Sequence, residues 1–348
     1  MKQSNLPWIN TARGLAIFLV VLHHSVQWAE SAGYGSGAWL HLTWSLATMR
    51  LPLFYAISGL LAVKWIHRPM REVLTLKVAT LIWLYLLWQL LTVLSYLVVP
   101  NVSTPGKGDL RELLTALATP LLPQNSLWFI WALAVFFVLC KLLYGRVTPW
   151  AVLAPAAAVS SFSMAGMIHT GNLGWDGLLT NFVFFSAGVY GAALIKGFAE
   201  WLNPWTAAVI LAGWVLCLVL LPTADAVVLN LGTRAVGLAA GISLGVLLQS
   251  SKHLGRAGSN TLTYYLPHYI VLGILAYLAS QSGLPGGTAN WLPAAMLIIT
   301  VLICLALRLI ARILRCEAWL YGQAPASLTS RLTPHGRQAK MSPRRKSI

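Results

Sequence analysis

Arg13 and the adjacent pair His23–His24 flank an otherwise apolar segment, RGLAIFLVVLHHS, at residues 13–25. Lipid offers no hydrogen-bond partner to a guanidinium or an imidazole, and an ionisable residue at membrane depth costs ~2.5–3.5 kcal/mol even on the lenient insertion scale. On an α-helix, Arg13 and His24 differ by about 20° in direction and ~16 Å along the axis, so they share one face, whereas His23 points roughly 80° away. One face therefore combines a cation that can bind an anion with an imidazole that can accept a proton.

Three other residues interrupt apolar segments in the same way. Arg50 lies near the outer end of the second apolar segment, at a depth comparable to that of His24, and Ser58 lies near its middle. A small polar residue at mid-membrane lets neighbouring backbones approach and can donate a hydrogen bond. His268 follows Pro267 inside a late apolar segment, where a proline frees a carbonyl and kinks the helix.

The composition requires a membrane to hold these residues. The chain has 348 residues, of which 58% are hydrophobic and 9% charged, with a mean hydropathy of +0.72, whereas soluble proteins carry about 25% charged residues. The first apolar segment lacks a small-residue cleavage site and is expected to remain as the first span. We therefore predict an all-α integral membrane protein, a polytopic bundle of about ten transmembrane helices. The predicted spans lie near 8–28, 47–66, 79–99, 126–145, 149–168, 177–195, 204–221, 226–249, 260–281 and 291–313.

The distribution of Lys and Arg orients this bundle. Four loops that follow odd-numbered spans contain neither residue, namely 29–39, 169–176, 222–225 and 282–290. Cations collect instead beside the loops after even-numbered spans and in the C-terminal tail, so both termini are expected in the cytoplasm. We predict a membrane domain over 1–315 and a basic, disordered cytoplasmic tail over 316–348, whose cations can touch lipid headgroups.

Several other functions are disfavoured. The net charge of +16 is spread over short loops, which argues for topology and against nucleic-acid binding. The four cysteines are scattered, so neither a disulfide framework nor a metal site is expected. Arg13 could still serve only topology, with His24 a satisfied buried histidine. The pair could also line the path of a transporter, although no internal repeat or paired intramembrane carboxylate supports that alternative. A non-catalytic assembly factor is a further alternative.

Four motifs, in order along the chain, resemble the acyltransferase-3 family of integral-membrane acyltransferases. WINTARGLAIFLVVLHH is similar to the family's first helix, in which Arg13 and His24 occupy the matching positions. RLPLFYAISG resembles its Phe-Phe-x-x-Ser-Gly stretch and contains Ser58. SLWFIWAL resembles its Leu-Trp-Phe segment at Trp128, and SNTLTYYLPH resembles its late segment ending at His268. The likeness extends to about residue 315, in the stand-alone form of the family.

The chain departs from the family pattern at two places on the donor side. Asn10 stands where the family often has Asp, three residues before the Arg. The family's Arg-x-x-Arg pattern is present as Arg68–Arg71, but upstream of the third apolar segment, and Lys77 lies closer to the expected position. The contacts to the acyl donor are therefore open among these three cations.

The resemblance implies an O-acyltransferase of the bacterial inner membrane. Such enzymes move an acyl group, with acetyl expected, from cytoplasmic acyl-coenzyme A to a hydroxyl of a cell-envelope glycan or lipid-linked sugar, and require no metal. Arg13, Arg68, Arg71 and Lys77 are then the expected coenzyme A ligands, because the donor is polyanionic. His24 is the expected general base and Arg50 the expected stabiliser of the oxyanion. Ser58, Trp128 and His268 are expected as polar substrate-site or structural residues.

Overall fold

The computed structural model describes residues 6–103, 118–221 and 227–322. Within these ranges the chain is helical, and the only extended pairing is an isolated bridge between Tyr144 and Val147. The helices are α1 (Pro7–Ser31), α2 (Gly37–Ile66), α3 (Met70–Val98), α4 (Trp128–Leu143), α5 (Pro149–Met164), α6 (Leu173–Tyr190), α7 (Ala192–Trp201), α8 (Pro204–Leu220), α9 (Val227–Leu247), α10 (Lys252–Ser259), α11 (Thr261–Tyr265), α12 (His268–Gln281), α13 (Leu292–Ile313) and α14 (Glu317–Tyr321).

The prediction of an all-α membrane protein is confirmed for the described residues. Six helices there, with α11 and α12 taken together, are long and apolar enough to cross a membrane. The pair α6 and α7, bent by 78° around Gly191, would make a seventh, and α4, α5 and α8 are shorter apolar helices of 10–17 residues. The number of ten spans and the orientation of the termini stay predictions.

Helix α1 lies at the centre of the bundle. It packs against α2, α9, α10, α11, α12 and α13. Its contact with α10 is close because Gly14 faces the carbonyl of Leu254 and Gly258 faces the carbonyl of Asn10, where an added Cβ would overlap the oxygen. The helix that carries Arg13 and His24 is thereby held on most of its circumference.

Small residues on α9 also permit close packing. Gly237 faces the backbone of Thr48 in α2, and Gly241 faces the side chain of Leu53, also in α2. Gly245 faces Ala12 of α1. The four-residue spacing of these glycines places them on one helix face. Helix α9 is thus fitted against both α1 and α2.

A reciprocal glycine contact joins α2 to α6. A Cβ on Gly59 would overlap the carbonyl oxygen of Phe185, and a Cβ on Gly188 would overlap that of Ala56. We expect Gly188→Ala to lower the free energy of unfolding by roughly 1–3 kcal/mol, the usual cost of overpacking a close contact. Thermal unfolding of the purified protein in lipid nanodiscs would measure the change.

Gly213 provides the matched control, since no described atom outside its own stretch of α8 lies within 4 Å of the Cβ that it would gain. Gly213→Ala should leave stability unchanged or raise it by ~0.5–1 kcal/mol, because alanine is the better helix former. Equal unfolding temperatures for the two variants would show that the α2–α6 contact tolerates a methyl group.

The last described helix, α14, is held against the end of α13 by ion pairs. Glu317 accepts hydrogen bonds from Arg308 at 2.7 Å and Arg312 at 3.0 Å, and the Arg308 bond lowers the pKa of the Glu317 carboxyl. The indole of Trp88 donates to the carbonyl of Leu320 at 2.7 Å. The first residues of the predicted tail are therefore helical and packed. The rest of that prediction falls on 323–348, outside the described residues.

Candidate active site

A cavity of about 410 Å³ opens beside the second half of α1. Its wall combines basic side chains from three helices, His23 and His24 of α1, Arg50 of α2 and Arg234 of α9. Aromatic rings form much of the remaining wall: Trp44, Phe54, Trp128, Phe129, Tyr265 and Tyr269. Ligand cavities typically measure about 300–1,000 Å³ and set a few polar groups in an apolar wall.

His24 is half-buried and held in one orientation on this wall. Its Nδ1 donates to Oε1 of Gln27 at 2.8 Å, one helical turn further along α1. Its ring lies against Tyr269 edge-to-face, with the ring centroids 5.9 Å apart. A neutral imidazole that donates from Nδ1 keeps the lone pair on Nε2, so Nε2 can accept a proton from a molecule in the cavity.

His268 lies behind His24 and is fully buried. The two ring centroids are 5.2 Å apart. Pro267 lacks an N–H and separates α11 from α12, as the sequence predicts. At this break, Nδ1 of His268 donates to the carbonyl oxygen of Tyr265 at 2.5 Å. His268 is therefore fixed in one tautomer and supports the ring of His24.

The ring of His23 lies on the same cavity wall as that of His24, which differs from the direction expected from helix geometry. Its predicted direction was roughly 80° away from His24, yet both rings line the same cavity because the cavity is wide. The ring centroids of His23 and His24 are 5.1 Å apart, and His23 also packs edge-on against Trp44. Its Nδ1 is buried without a hydrogen bond in the described structure, so nothing there orients the ring as Gln27 orients that of His24.

Two arginines complete the polar part of the wall. Arg50 is only 4% exposed, and its Nη1 donates to the carbonyl oxygen of Leu19 at 3.4 Å. Arg234 donates from Nε to Oδ1 of Asn230 at 3.1 Å. Arg234 is half-buried and lies on the cavity wall. The two guanidinium groups are close enough to repel one another.

Arg13 lies at the other end of α1, where it donates to Oγ1 of Thr261 at 3.2 Å. Lys77 is close enough to Arg13 and Lys64 to be repelled by both, and its Nζ lies 5.3 Å from the ring centre of Phe137. A π-helical turn at Val73–Val78 carries Lys77. Arg13 and Lys77 are therefore two cations whose positive charges act on one another.

Arg68 and Arg71, the other two cations predicted to bind the donor, are exposed. Arg68 forms an exposed ion pair with Glu72 at 3.3 Å and stacks over Trp65 at 4.7 Å. Arg71 is an exposed residue whose carbonyl accepts a hydrogen bond from Thr75. The contact of Arg68 and Arg71 with a donor stays a prediction.

Two predicted site residues remain, Ser58 and Trp128. Trp128 lies on the cavity wall, and Ser58 bonds within its own helix. The hydroxyl of Ser58 donates to the carbonyl oxygen of Phe54 at 2.7 Å, within its own helix. That bond satisfies the hydroxyl within α2, and a substrate role for Ser58 stays a prediction. Trp128 lines the cavity, and its ring covers Gly177, where a Cβ would overlap it.

Sequence reasoning missed Gln27, Tyr265 and Tyr269. Gln27 stands three residues after His24, the spacing at which helical side chains meet, so that spacing could have identified it. The two tyrosines reach the site only because the chain breaks at Pro267. Tyr265 also donates from its hydroxyl to the carbonyl of Ser126, in the segment before α4.

Comparison with known proteins adds to this geometry. A family model described as an acyltransferase domain matches residues 6–309. The inner membrane protein YcfT of Escherichia coli is 28% identical over 217 residues, which are 56% of this chain and 58% of YcfT. Nodulation protein NolL of Mesorhizobium japonicum is 30% identical over 158 residues, 43% of this chain and 39% of NolL. The chain thus spans less than two thirds of either relative, and no solved structure matches it.

Proposed function

The chain belongs to the acyltransferase-3 family, since the family model covers residues 6–309, and from this membership we propose that it is a membrane-embedded O-acyltransferase. The donor is acyl-coenzyme A, with acetyl the expected group, and the acceptor is a hydroxyl of a cell-envelope glycan or lipid-linked sugar. By analogy with YcfT, whose name places it in the inner membrane, the protein is a multi-pass protein of a bacterial inner membrane.

One observation carries the proposal: α1 joins a cationic end at Arg13 to an oriented imidazole at His24 in the cavity. Coenzyme A carries several phosphates, and Arg13 and Lys77 supply charge-assisted hydrogen bonds for them. The motifs that carry the family resemblance include both Arg13 and His24, so geometry and resemblance support the same pair.

The reaction needs a base, because a sugar hydroxyl is a poor nucleophile. The acceptor oxygen attacks the thioester carbonyl carbon while Nε2 of His24 takes the hydroxyl proton. Arg50 stabilises the negative oxygen of the tetrahedral intermediate. The carbon–sulfur bond then breaks, and the proton passes from His24 to the leaving thiolate. This yields the acyl ester and free coenzyme A. His268 positions the ring of His24.

The first experiment tests the donor. The full-length protein, purified in lipid nanodiscs, would be mixed with acyl-labelled coenzyme A and extracts of envelope glycans. Release of coenzyme A together with label in the glycan fraction is expected. Comparison of envelope glycans from a deletion strain by mass spectrometry would then identify the acceptor. Retention of label in coenzyme A with every extract would contradict the proposal.

We expect Arg13→Ala to weaken the use of acyl-coenzyme A. Loss of one charge-assisted hydrogen bond costs ~1.5–3 kcal/mol, which raises the KM for the donor by roughly 10- to 150-fold. Steady-state kinetics at saturating acceptor would measure it. Arg146→Ala is the matched control, because Arg146 is exposed and its guanidinium donates to the nearby carbonyl oxygen of Leu142. An unchanged KM for Arg13→Ala would assign Arg13 to topology alone.

A further inference from the structure

Arg50 and Arg234 place two cations on one cavity wall within the bundle. The guanidinium groups come from neighbouring helices, since Gly237 lets α9 contact the backbone of Thr48, and Arg234 lies one turn before Gly237. Their observed hydrogen bonds reach neutral acceptors, the carbonyl of Leu19 and the amide of Asn230. A guanidinium has five N–H donors, so each retains unused donors.

The described residues supply no carboxylate to this wall. Glu72 pairs with Arg68, Asp176 accepts from Thr170 and lies near His169, and Glu317 pairs with Arg308 and Arg312. Glu30 and Glu200, the other acidic residues in the described ranges, are exposed. Two cations on one cavity wall, Arg50 buried and Arg234 half-buried, are unfavourable in a medium of low dielectric constant unless an anion lies near them, and the described residues supply none.

The proposed reaction neutralises only one of these charges. An oxyanion forms at the thioester carbonyl and lasts only as long as the tetrahedral intermediate. Arg50 is sufficient to stabilise it. Arg234 therefore has no partner in that chemistry, and the resting cavity has none for either cation among the described residues.

We propose that the cavity binds an acidic group of the acceptor, a carboxylate or phosphate, and that Arg234 is its principal ligand. This inference rests on the proposed function and specifies its substrate class: an acceptor sugar that carries a negative charge near the hydroxyl to be acylated. A planar guanidinium binds such a group through two parallel hydrogen bonds.

The rest of the wall suits a sugar of this kind. A volume of about 410 Å³ accommodates a single sugar unit with its acidic substituent. Trp44, Trp128 and Tyr269 line the cavity, and aromatic rings can pack against the C–H groups of a pyranose. Because Arg234 and His24 line the same cavity, an acid bound at Arg234 and a hydroxyl that loses its proton to His24 can belong to one sugar.

Two sugars that differ in one group test this assignment. Methyl glucuronide and methyl glucoside would be titrated by calorimetry into the full-length protein in nanodiscs of phosphatidylcholine. We expect the acid to bind at least about tenfold more tightly than the neutral sugar, as loss of a charge-assisted hydrogen bond predicts. Arg234→Gln should remove this preference and Arg234→Lys should retain part of it. Arg146→Gln, an exposed control, should leave it unchanged.

Equal binding of the two sugars, or binding of neither, would overturn the inference. A lipid headgroup is the other source of the same anion, so the titration is repeated in nanodiscs that contain phosphatidylglycerol. If that lipid competes with the glucuronide in the wild type and not in Arg234→Gln, the site belongs to a lipid and the acceptor assignment is wrong. Failure of the proposed function would be distinguishable, because coenzyme A release would then be absent while binding could still be measured.

Discussion

His24→Ala is expected to lower acyl transfer about 100-fold or more, whereas His23→Ala should retain most of the activity. Loss of a general base typically costs about 10²–10⁴-fold in rate. Both rings line the cavity, but only His24 has its tautomer set by Gln27 and its ring supported by His268. Only His24 shares the helix face of Arg13 and matches the family motif.

The two histidine variants make a matched pair, since they are adjacent and remove the same side chain. Protein yield, acyl-coenzyme A binding and transfer would be measured for both in the same membranes. Yield and donor binding should be unchanged in His24→Ala. If His23→Ala is the inactive variant, the base has been assigned to the wrong ring. If both variants keep their activity, His24 is structural and His268 is the next candidate.

Arg50→Gln has the second largest expected effect, a fall of about 10²–10³-fold in kcat with little change in the KM for acyl-coenzyme A. This is the usual cost of removing one oxyanion donor. The KM should change little because Arg50 acts only after the donor is bound, whereas Arg13→Ala should change KM first. The two arginines are therefore separable in the same kinetic experiment.

Folding must be controlled in this variant, because Arg50 is buried. Arg50→Lys keeps a charge at the same depth but lacks the planar group of five donors. Partial activity in Arg50→Lys, with Arg50→Gln folded and nearly inactive, would support a role in the reaction. A normal kcat in a folded Arg50→Gln would assign the oxyanion to another donor.

Helix geometry alone predicted the central relation of the candidate site. The shared face of Arg13 and His24 follows from eleven residues at about 100° each, and the apolar windows predicted the all-helical class. These features depend on local periodicity, which a single sequence contains. Whether ten helices cross the membrane depends on how short helices such as α5 sit in lipid, which periodicity does not encode.

The features that the sequence did not predict depend on contacts between distant segments. Arg234 and Arg50 line the same cavity because Gly237 allows α9 to pack closely against α2. Lys77 lies on a π-helical turn, a local change of register with no clear sequence signal. Tyr265 and Tyr269 lie on either side of the helix break at Pro267. The sequence predicts the break but not the direction in which the chain continues after it.

The central position of α1 has a consequence for how the two substrates can meet. Six neighbouring helices hold α1, so it cannot tilt alternately toward either membrane face without disrupting most of the bundle. The separation of ~16 Å between Arg13 and His24 is then constant. This fixed distance sets the length that a donor bound at both ends must have. If coenzyme A is the donor, as we propose, the flexible arm between its phosphates and its sulfur must span this length. Donor selection would therefore depend on the reach of the carrier as well as on the acyl group that it bears.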